Sequence, residues 1–374
     1  DRKTVLFLFR TYNDIDHIVP IAWKAAVSGI SVNYIFTWKD FSDDYRIRYL
    51  SSVGAEKVEC SLVNAYHNEI RKKIPLRMVR SLFDRIIAYT LGRLIVGRQG
   101  VSAIVNEWSG PVGNEMAQYF IRPARSNGIP VICVPHGHRI EVNWDMNEAV
   151  ARVVSETGKP PSLANRNLYT CYVVQNQLVK EFGADSGIRS DKLKILGSAR
   201  YCAEWQRINY DLCLSNKRFP TSGDNFRVAV FLRHWEYHID RGACLESLEK
   251  ISEIKGVELL IVGHTRGREV GGLTESEEAA ILERKNTRYI GAGDQSSSII
   301  ACSDLIFCYG TSIAFEAVVQ GVIICNPLFL TSNSTIFDGS GVVYDVDSIE
   351  AALRFIHNQM GSVPWTPEQK LVNL

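Results

Sequence analysis

Residues 304–326 read DLIFCYGTSIAFEAVVQGVIICN, and this stretch decides the fold class. Residues 304–308 form an apolar run typical of a strand that is buried on both faces. The turn at 310–312 opens a helical stretch over 313–320, and a second buried strand follows at 322–326. A strand, a helix and a strand in immediate succession predict one unit of a parallel sheet.

Strand-like runs separated by helical stretches recur over the whole chain. The first half opens with such a run at 4–9, and the second half opens with another at 226–232. Strands that alternate with helices predict a parallel sheet covered by helices on both faces. We therefore predict an α/β protein of the doubly wound, Rossmann-like type.

The division between the halves is predicted at residues 216–225, a polar stretch that contains Pro220 and Gly223. A chain of 374 residues has the length of two domains, at the usual ~150 residues per domain. We therefore predict two tandem Rossmann-like domains, the first over 1–215 and the second over 226–374.

The composition is that of an ordinary globular protein. Apolar residues make up 46% of the chain and charged residues 22%, which excludes a disordered protein. The 42 basic residues nearly balance the 41 acidic ones, so we expect no nucleic-acid partner. The nine cysteines form no CxxC motif, which indicates reduced thiols. With no signal-peptide pattern and no apolar stretch of ~18 residues, we expect a cytoplasmic protein that is at most peripheral to a membrane.

Polar residues follow the predicted strands of the second half, at the sheet edge where parallel α/β proteins bind ligands. Backbone N–H groups and hydroxyls at Gly310, Thr311 and Ser312 would hold a phosphate or ribose oxygen at the start of a helix. Glu316, one turn further, would bridge sugar hydroxyls. The alternative is that Thr311 and Ser312 only cap the helix.

Three basic residues extend this candidate nucleotide site. His264 and Arg266 follow the strand predicted at 257–262 and would supply positive charge to a phosphate, unless they belong to an ordinary surface loop. Arg233 follows the first strand of the second domain, where loops commonly approach phosphates. Together these residues predict that the second domain binds a nucleotide.

Three stretches of the second half stand in an order that resembles the donor domain of GT-B glycosyltransferases. They are GHTRG at 263–267, GDQSSS at 293–298 and SDLIFCYGTSIAFEAVVQGVI at 303–323. The similarity is greatest to bacterial capsule and lipopolysaccharide enzymes that use CMP-linked acid sugars, such as sialic acid and Kdo, or CDP-alditols.

Two motifs of these enzymes bind the cytidine nucleotide, and the resemblance places them on residues of this chain. His264 matches the histidine of a His-Pro motif, with Thr265 in place of the proline. Thr311 and Ser312 match a Thr-Ser motif. In the N-terminal half, His136 lies in a Pro-His-Gly turn that resembles the His-Gly turn of related acceptor domains.

The resemblance implies a GT-B glycosyltransferase whose two domains face a central cleft. The N-terminal domain would bind a saccharide or lipid-linked saccharide acceptor, and the C-terminal domain a nucleotide-sugar donor, with a CMP-linked acid sugar favoured. Enzymes of this kind usually need no bound metal, and the nucleotide sugar is a substrate, so we expect no cofactor. The product would belong to a surface polysaccharide.

Several residues of the N-terminal half are candidates for the general base that would activate an acceptor hydroxyl. Asp14, Asp16 and His17 crowd a loop predicted after the first strand, and Glu107 and His136 follow two later strands. The alternatives are that the two aspartates cap a helix and that His136 is bonded to the backbone of its turn. Inverting and retaining mechanisms both stay open.

The spacing H-x-E-x-H-x-D at His234, Glu236, His238 and Asp240 is a candidate metal-binding pattern. No second ligand cluster accompanies it, and it matches no zinc motif. We therefore predict no metal site and assign this loop to donor binding.

A long helix is predicted over 69–99, and it is strongly basic. Such an amphipathic helix would contact anionic lipids on the inner face of the cell membrane. The alternative is a helix that packs on the core with a solvated charged face. Between 71 and 98 it has one acid, Asp84, and eight basic residues: Arg71, Lys72, Lys73, Arg77, Arg80, Arg85, Arg93 and Arg98.

Other functions fit the same sequence. A CDP-alditol phosphotransferase would transfer a phosphoryl-alditol group, and a GT-B-fold nucleotide-sugar epimerase would act on the donor alone. A non-catalytic nucleotide-sugar-binding scaffold would carry out neither reaction. Glycosyl transfer is favoured because polar residues follow the strands of both halves.

Overall fold

The computed structural model of the protein describes residues 3–108, 115–135, 137, 139–143, 147–215, 225–263, 271–290 and 296–361. Within these ranges the strands form two parallel sheets, one of seven strands and one of six. Helices connect successive strands, so the predicted α/β class with two Rossmann-like sheets is confirmed.

The chain divides into two compact units, of which the first comprises Asp1–His138 with Ser162–Arg200 and the second Arg139–Pro161 with Tyr201–Leu374. Residues 139–161 and 201–215 therefore belong to the second unit. Our predicted first domain, 1–215, included both stretches, and the predicted domain limits remain a prediction.

The first sheet is built on a buried central strand. Its strands are β1 (Thr4–Phe9), β2 (Ser31–Phe36), β3 (Glu56–Lys57), β4 (Val101–Glu107), β5 (Val131–Val134), β6 (Cys171–Val174) and β7 (Leu193–Ile195). Their order is β3-β2-β1-β4-β5-β6-β7, and all neighbours are parallel. Apolar side chains of β1 and β4, including Leu6, Leu8 and Ile104, lie in the core of this unit.

The second sheet follows the same plan. Its strands are β8 (Phe226–Phe231), β9 (Val257–Val262), β10 (Thr287–Ile290), β11 (Leu305–Phe307), β12 (Ile323–Pro327) and β13 (Tyr344–Val346). Their order is β10-β9-β8-β11-β12-β13, again with parallel neighbours. Strand β9 is buried along its whole length, and all of its residues except Glu258 are apolar.

The described helices are short to medium in length, and none is long and apolar enough to cross a membrane. In chain order they are α1 (Tyr12–Val27), α2 (Tyr45–Ser52), α3 (Ser61–Ala65), α4 (Arg77–Ile87), α5 (Arg93–Arg98), α6 (Gln118–Ser126), α7 (Glu148–Thr157), α8 (Gln177–Asp185), α9 (Ala203–Ser215), α10 (Arg241–Ser252), α11 (Glu275–Leu282), α12 (Ser296–Ala301), α13 (Ile313–Val319) and α14 (Ile349–Met360).

Helix α1 begins within the loop that we predicted after the first strand, so that prediction is wrong. The carboxylate of Asp14 accepts hydrogen bonds from the backbone N–H groups of Arg10 at 2.6 Å and of Thr11 at 2.8 Å. These bonds satisfy donors at the start of the helix, which therefore begins at Tyr12. As a result, Asp14, Asp16 and His17 lie in the first turns of α1.

The single helix predicted over 69–99 is wrong as well, because the segment is interrupted. A π-helical turn (Tyr66–Ile70) and a 3-10 turn (Arg71–Lys73) precede α4, and a second π-helical turn (Ala88–Gly92) joins α4 to α5. Pro75 explains the first break, since the residue before a proline is forced into extended backbone. Ile74 indeed has ψ 106°.

The connection between β5 and β6 contains helix α7. The side chain of Asn147 caps it by accepting from the N–H of Val150 at 2.9 Å, and Gly158 ends it with φ 66°. Residues 139–143 pair with a later part of the second unit, where the N–H of Val142 donates to the carbonyl oxygen of Ser334 at 3.0 Å.

Candidate functional site

Arg233 and Gly310 meet at the carboxyl edge of the second sheet. Arg233 follows β8, and Gly310 lies in the turn between β11 and α13. Gly310 has φ +63°, and a Cβ atom on it would lie 1.8 Å from Nη1 of Arg233. Only glycine fits this position, because any side chain would collide with the guanidinium group.

The guanidinium group of Arg233 is buried and keeps one donor unused. It forms an ion pair with the buried carboxylate of Glu141 and lies over the ring of Tyr237, 4.1 Å from its centroid. Its Nη1 has no hydrogen-bond partner among the described residues. Burial lowers the pKa of Arg233 to about 10, so the group is still charged at neutral pH. A buried cationic donor without a partner is suited to binding an anion such as a phosphate oxygen.

The next residues of the turn use their polar groups in different ways. The hydroxyl of Thr311 accepts from the N–H of Ile313 at 3.3 Å, as in the capping alternative. The side chain of Ser312 makes no cap hydrogen bond, while its carbonyl oxygen accepts from the hydroxyl of Tyr201 at 3.2 Å. Capping therefore accounts for Thr311 and leaves the hydroxyl of Ser312 for another role.

Glu316 lies in the first turn of α13 and is fully buried. Its carboxylate accepts a hydrogen bond from the side-chain amide of Gln320 at 3.3 Å. A buried carboxylate needs hydrogen-bond donors around it. This placement puts Glu316 one helical turn from Ser312, as the sequence predicted.

Three predicted site residues lie outside the described part of the chain. They are His136, His264 and Arg266. Their assigned roles stay predictions.

In the first unit, Asp16 is the centre of a buried ionic cluster. Arg46 forms an ion pair with one carboxylate oxygen of Asp16, and Arg200 lies 3.0 Å from the other. Arg46 also pairs with Asp44 at 2.9 Å and lies over the ring of Tyr12. Asp16 thus joins α1 to α2 and to the turn that contains Arg200, which is a structural task.

His17 lies beside this cluster and faces a cavity of about 270 Å³ in the first unit. Its Nδ1 atom is 3.3 Å from the hydroxyl oxygen of Ser198. The cavity has a mostly apolar wall, formed by Ile21, Val105, Ile132, Val134, Pro135, Val173, Leu196, Gly197 and Ala199. His17 and Ser198 are its hydrogen-bonding side chains.

Glu107 ends β4 and is fully buried. One of its carboxylate oxygens lies 3.1 Å from Nε of Arg10, whose backbone N–H donates to Asp14. Arg10 therefore connects Glu107 to the start of α1. The structure brings Asp14, Glu107 and Arg10 together at the carboxyl edge of the first sheet.

Two of the HxExHxD residues, His234 and Asp240, have separate structural tasks. Nδ1 of His234 accepts from the N–H of Glu236 at 3.2 Å, and Asp240 caps α10 by accepting from the N–H of Ala243 at 2.9 Å. In the part of the chain that the structure describes, no group of three or more His, Cys, Asp or Glu residues is placed to hold a metal ion.

Several partners of the candidate residues could not be found from the sequence. Glu141 lies in the long connection after β5 and not directly at a strand end, and Arg46 and Arg200 belong to other elements. Only a sequence signal for a buried acid, such as one between apolar neighbours, could have indicated Glu141, which stands between Ile140 and Val142.

Comparison with known proteins gives a fold and no family. No family model matches the chain, and no curated protein sequence matches it. A UDP-GlcNAc 2-epimerase from Neisseria meningitidis, solved with UDP-GlcNAc bound, is 13% identical, with 99% of this chain and 97% of that chain covered and a TM-score of 0.59.

Two further solved structures show the same similarity. A UDP-GlcNAc 2-epimerase from Methanocaldococcus jannaschii is 12% identical, with 97% of this chain and 95% of that chain covered and a TM-score of 0.58. A glycosyltransferase from Rickettsia africae is 12% identical, with 100% and 92% covered and a TM-score of 0.53. With its two parallel sheets, the chain has the two-domain, Rossmann-like GT-B fold.

Proposed function

We propose that the protein is a metal-independent glycosyltransferase of surface-polysaccharide biosynthesis, with the nucleotide-sugar donor bound by the second unit. The observation that carries this proposal is the buried Nη1 of Arg233, which lacks a partner among the described residues and lies against Gly310. Parallel α/β sheets bind nucleotides at this edge. In this assignment Arg233 binds a phosphate oxygen of the donor.

The other residues of the turn complete the proposed donor site. The hydroxyl of Ser312 would donate to the ribose or phosphate, and the buried carboxylate of Glu316 would accept from a sugar hydroxyl. His264 and Arg266 would add positive charge. The match of His264, Thr311 and Ser312 to cytidine-binding motifs supports a CMP-linked donor. UDP is the main competitor, because the Neisseria meningitidis epimerase was solved with UDP-GlcNAc bound.

His17 is the residue that we assign as the general base in the first unit. Asp14 is engaged at the start of α1, Asp16 is paired with two arginines, and Glu107 is paired with Arg10. His17 lines the cavity of the first unit, where an acceptor saccharide or the sugar of a lipid-linked saccharide would enter. The imidazole would take the proton of the acceptor hydroxyl as its oxygen bonds to the anomeric carbon and the nucleotide leaves with the bonding electrons.

Arg233 would assist the same step from the donor side. When the bond to the nucleotide breaks, negative charge develops on the departing phosphate. A fixed guanidinium group at that oxygen stabilises this charge. Because Glu141 and Tyr237 hold the group in place, it needs no rearrangement during the reaction.

A nucleotide-sugar epimerase is the second candidate. The structural similarity to epimerases, with TM-scores of 0.58 and 0.59, favours it. An epimerase would convert the donor without an acceptor.

Titration calorimetry with CMP, CDP, UDP, GDP and ADP tests the donor assignment. We expect CMP or CDP to bind most tightly, and a purine nucleotide that binds more tightly would contradict it. Incubation of the protein with UDP-GlcNAc alone, followed by NMR, tests the second candidate. Conversion to the 2-epimer in the absence of acceptor would replace the transferase proposal.

A further inference from the structure

Helix α4 has apolar side chains on two opposite sides, one packed on the core of the first unit and one exposed. The contacts of α4 and of the residues that flank it show which side of the helix packs against the rest of the first unit. Ile74, Ile87 and Leu91 pack against the core of that unit. Asp84 points the same way, since its carboxylate accepts from the hydroxyls of Tyr66 and Tyr119, each at 2.9 Å.

The opposite side of α4 is apolar and exposed. Met78, Leu82 and Ile86 follow one another at intervals of four residues, so they share one face of the helix. Their exposed fractions are 84%, 57% and 46%. Tyr89 continues the stripe into the following π-helical turn and is 47% exposed. A surface helix normally presents polar residues there.

Leu76 and Phe83 widen this exposed area, with exposed fractions of 65% and 43%. We call these six residues, together with the basic residues below, the α4 surface. An outward apolar stripe of this length is typical of a surface that binds another apolar phase.

Exposed cations surround the apolar stripe. None of them forms a hydrogen bond through its side chain, or an ion pair, with another residue in the described ranges; they are Lys72, Lys73, Arg77, Arg85 and Arg93. Residues 66–98 contain only two acids, Glu69 and Asp84, and Asp84 is already paired with Arg71 at 3.0 Å. The α4 surface is therefore apolar at its centre and positive at its rim.

We infer that the α4 surface docks on an anionic lipid bilayer, with Met78, Leu82 and Ile86 inserted among the lipid chains. The lysines and arginines would then meet phosphate groups of the lipids, as in helices that lie in a membrane interface. A second copy of the chain is less suitable, because a two-fold contact through this face would bring both basic rims together. The docking is independent of nucleotide binding and goes beyond the proposed transfer reaction.

Sedimentation with lipid vesicles tests the inference. The protein is mixed with one of two kinds of vesicle. The first is phosphatidylcholine with roughly 30% of the anionic lipid phosphatidylglycerol, and the second is pure phosphatidylcholine. We expect binding to the anionic vesicles that weakens as salt is raised. The variant Leu82→Ser/Ile86→Ser should lower the partition coefficient at least about tenfold, since it removes inserted apolar area. Lys72→Glu/Arg77→Glu should lower it at least as much.

Matched controls lie elsewhere on the molecule. Val342 is 54% exposed, and Lys159 is exposed, so Val342→Ser and Lys159→Glu change the same kinds of residue away from α4. We expect both to bind vesicles like the unchanged protein. Circular dichroism and the thermal midpoint establish that every variant is folded, and CMP binding reports on the donor site separately.

Two kinds of result would overturn the inference. One is an unchanged protein that does not sediment with anionic vesicles, or a Leu82→Ser/Ile86→Ser variant that sediments equally well. The other is a dimer in light scattering that Leu82→Ser/Ile86→Ser converts to a monomer without vesicle binding in either form. That second result would assign the α4 surface to self-association.

Discussion

At the residue scale, Arg233 and Gly310 form the centre of the proposed donor site, and each limits what the other position tolerates. Glu141 and Tyr237 fix the guanidinium group, and the absence of a side chain at Gly310 leaves room for it. A phosphate oxygen bound there would accept from Nη1 of Arg233, which has no partner among the described residues. The guanidinium group is therefore held in one position before a ligand arrives, which lowers the ordering cost of binding.

The first prediction concerns Gly310→Ala. The new Cβ would lie 1.8 Å from Nη1 of Arg233, so the guanidinium group must move. We expect nucleotide affinity to fall at least about tenfold and the free energy of unfolding to fall by about 1–3 kcal/mol, the usual cost of a strained backbone position. Calorimetry and denaturant unfolding measure the two effects.

Gly339→Ala is the control for this prediction. Gly339 has φ +68°, close to that of Gly310, but a Cβ atom there meets nothing within 4 Å. It reproduces the backbone strain without the collision, so nucleotide affinity should be unchanged. Equal loss of affinity in both variants would show that Arg233 is not displaced.

The second prediction concerns His17→Asn. Loss of a general base slows transfer by about 10²–10⁴-fold, while nucleotide binding in the other unit should be unaffected. Release of nucleotide from CMP- and UDP-linked donors in the presence of saccharides measures transfer, and calorimetry measures binding. Ser198→Ala, which removes the neighbour of Nδ1, should reduce transfer far less. Loss of binding together with transfer would refute the acceptor-side assignment.

Single residues could be predicted where their role follows from position in the chain. Gly310 and Arg233 follow strands, and the structure places them side by side. The ion pair with Glu141 could not be predicted, because it joins residues 92 positions apart in the sequence. The ion pairs of Asp16 with Arg46 and Arg200 could not be predicted for the same reason, because the three residues lie far apart in the sequence.

At the scale of elements, Asp84 determines which way α4 faces. Its carboxylate takes hydrogen bonds from Tyr66 and Tyr119 and an ion pair from Arg71. Burial opposes ionisation, but these bonds outweigh it and hold the pKa of Asp84 below its ordinary value. These bonds hold the side of α4 that carries Asp84 against the first unit and leave the apolar stripe exposed.

The third prediction follows from the pKa of Asp84. A carboxyl group whose pKa is lower in the folded than in the unfolded state stabilises the protein above the unfolded value of about 4. This stabilisation is lost as the pH falls through the folded pKa. We expect Asp84→Asn to lower the melting temperature at pH 7, and the difference from the unchanged protein to shrink below pH 4.

Melting curves of both proteins between pH 7 and pH 2.5 measure this dependence, in steps of roughly half a unit around the carboxyl range. Asp211→Asn serves as control, because Asp211 is exposed and its carboxylate has no partner among the described residues. A difference that stays constant with pH would mean that Asp84 acts through packing alone.

Elements that consist of an apolar run were predicted with correct or nearly correct bounds. Helix ends that depend on a capping residue or on a proline were not. Strands β1 and β9 have the predicted bounds. The start of α1 was missed because Thr11 and Asp14 were interpreted as loop residues, although a hydroxyl residue three positions before an acid is a helix-start signal. Pro75 was present in the sequence and should have divided the helix predicted over 69–99.

At the scale of the whole molecule, each unit has its own sheet and its own core. The two-domain plan was predictable, because the alternation of strands and helices restarts at β8. The assignment of 139–161 to the second unit was not predictable, because those residues lie between two strands of the first sheet. Sequence order therefore misplaces this stretch.

The fourth prediction uses this two-unit organisation. Proteins with separate cores often unfold in more than one step. We expect scanning calorimetry to show two transitions, of which CMP raises only one. A ligand at about a hundredfold excess over its dissociation constant stabilises its unit by about 2.7 kcal/mol.

Hydrogen exchange identifies the stabilised unit. Protection should increase in β11 and α13 and stay constant in α1. Increased protection confined to α1 would place the nucleotide in the first unit and contradict the proposed donor site.

Residues 139–161 belong to the second unit although they interrupt the first in the sequence, and this has a practical consequence for expressing either unit alone. A fragment that starts at 226 would leave Glu141 behind, and Arg233 would be desolvated with no counter-charge. Removing one partner of such a pair costs about 3–5 kcal/mol, a large part of the stability of a small domain. The second unit is thus formed by two separate pieces of the chain and must be expressed with both.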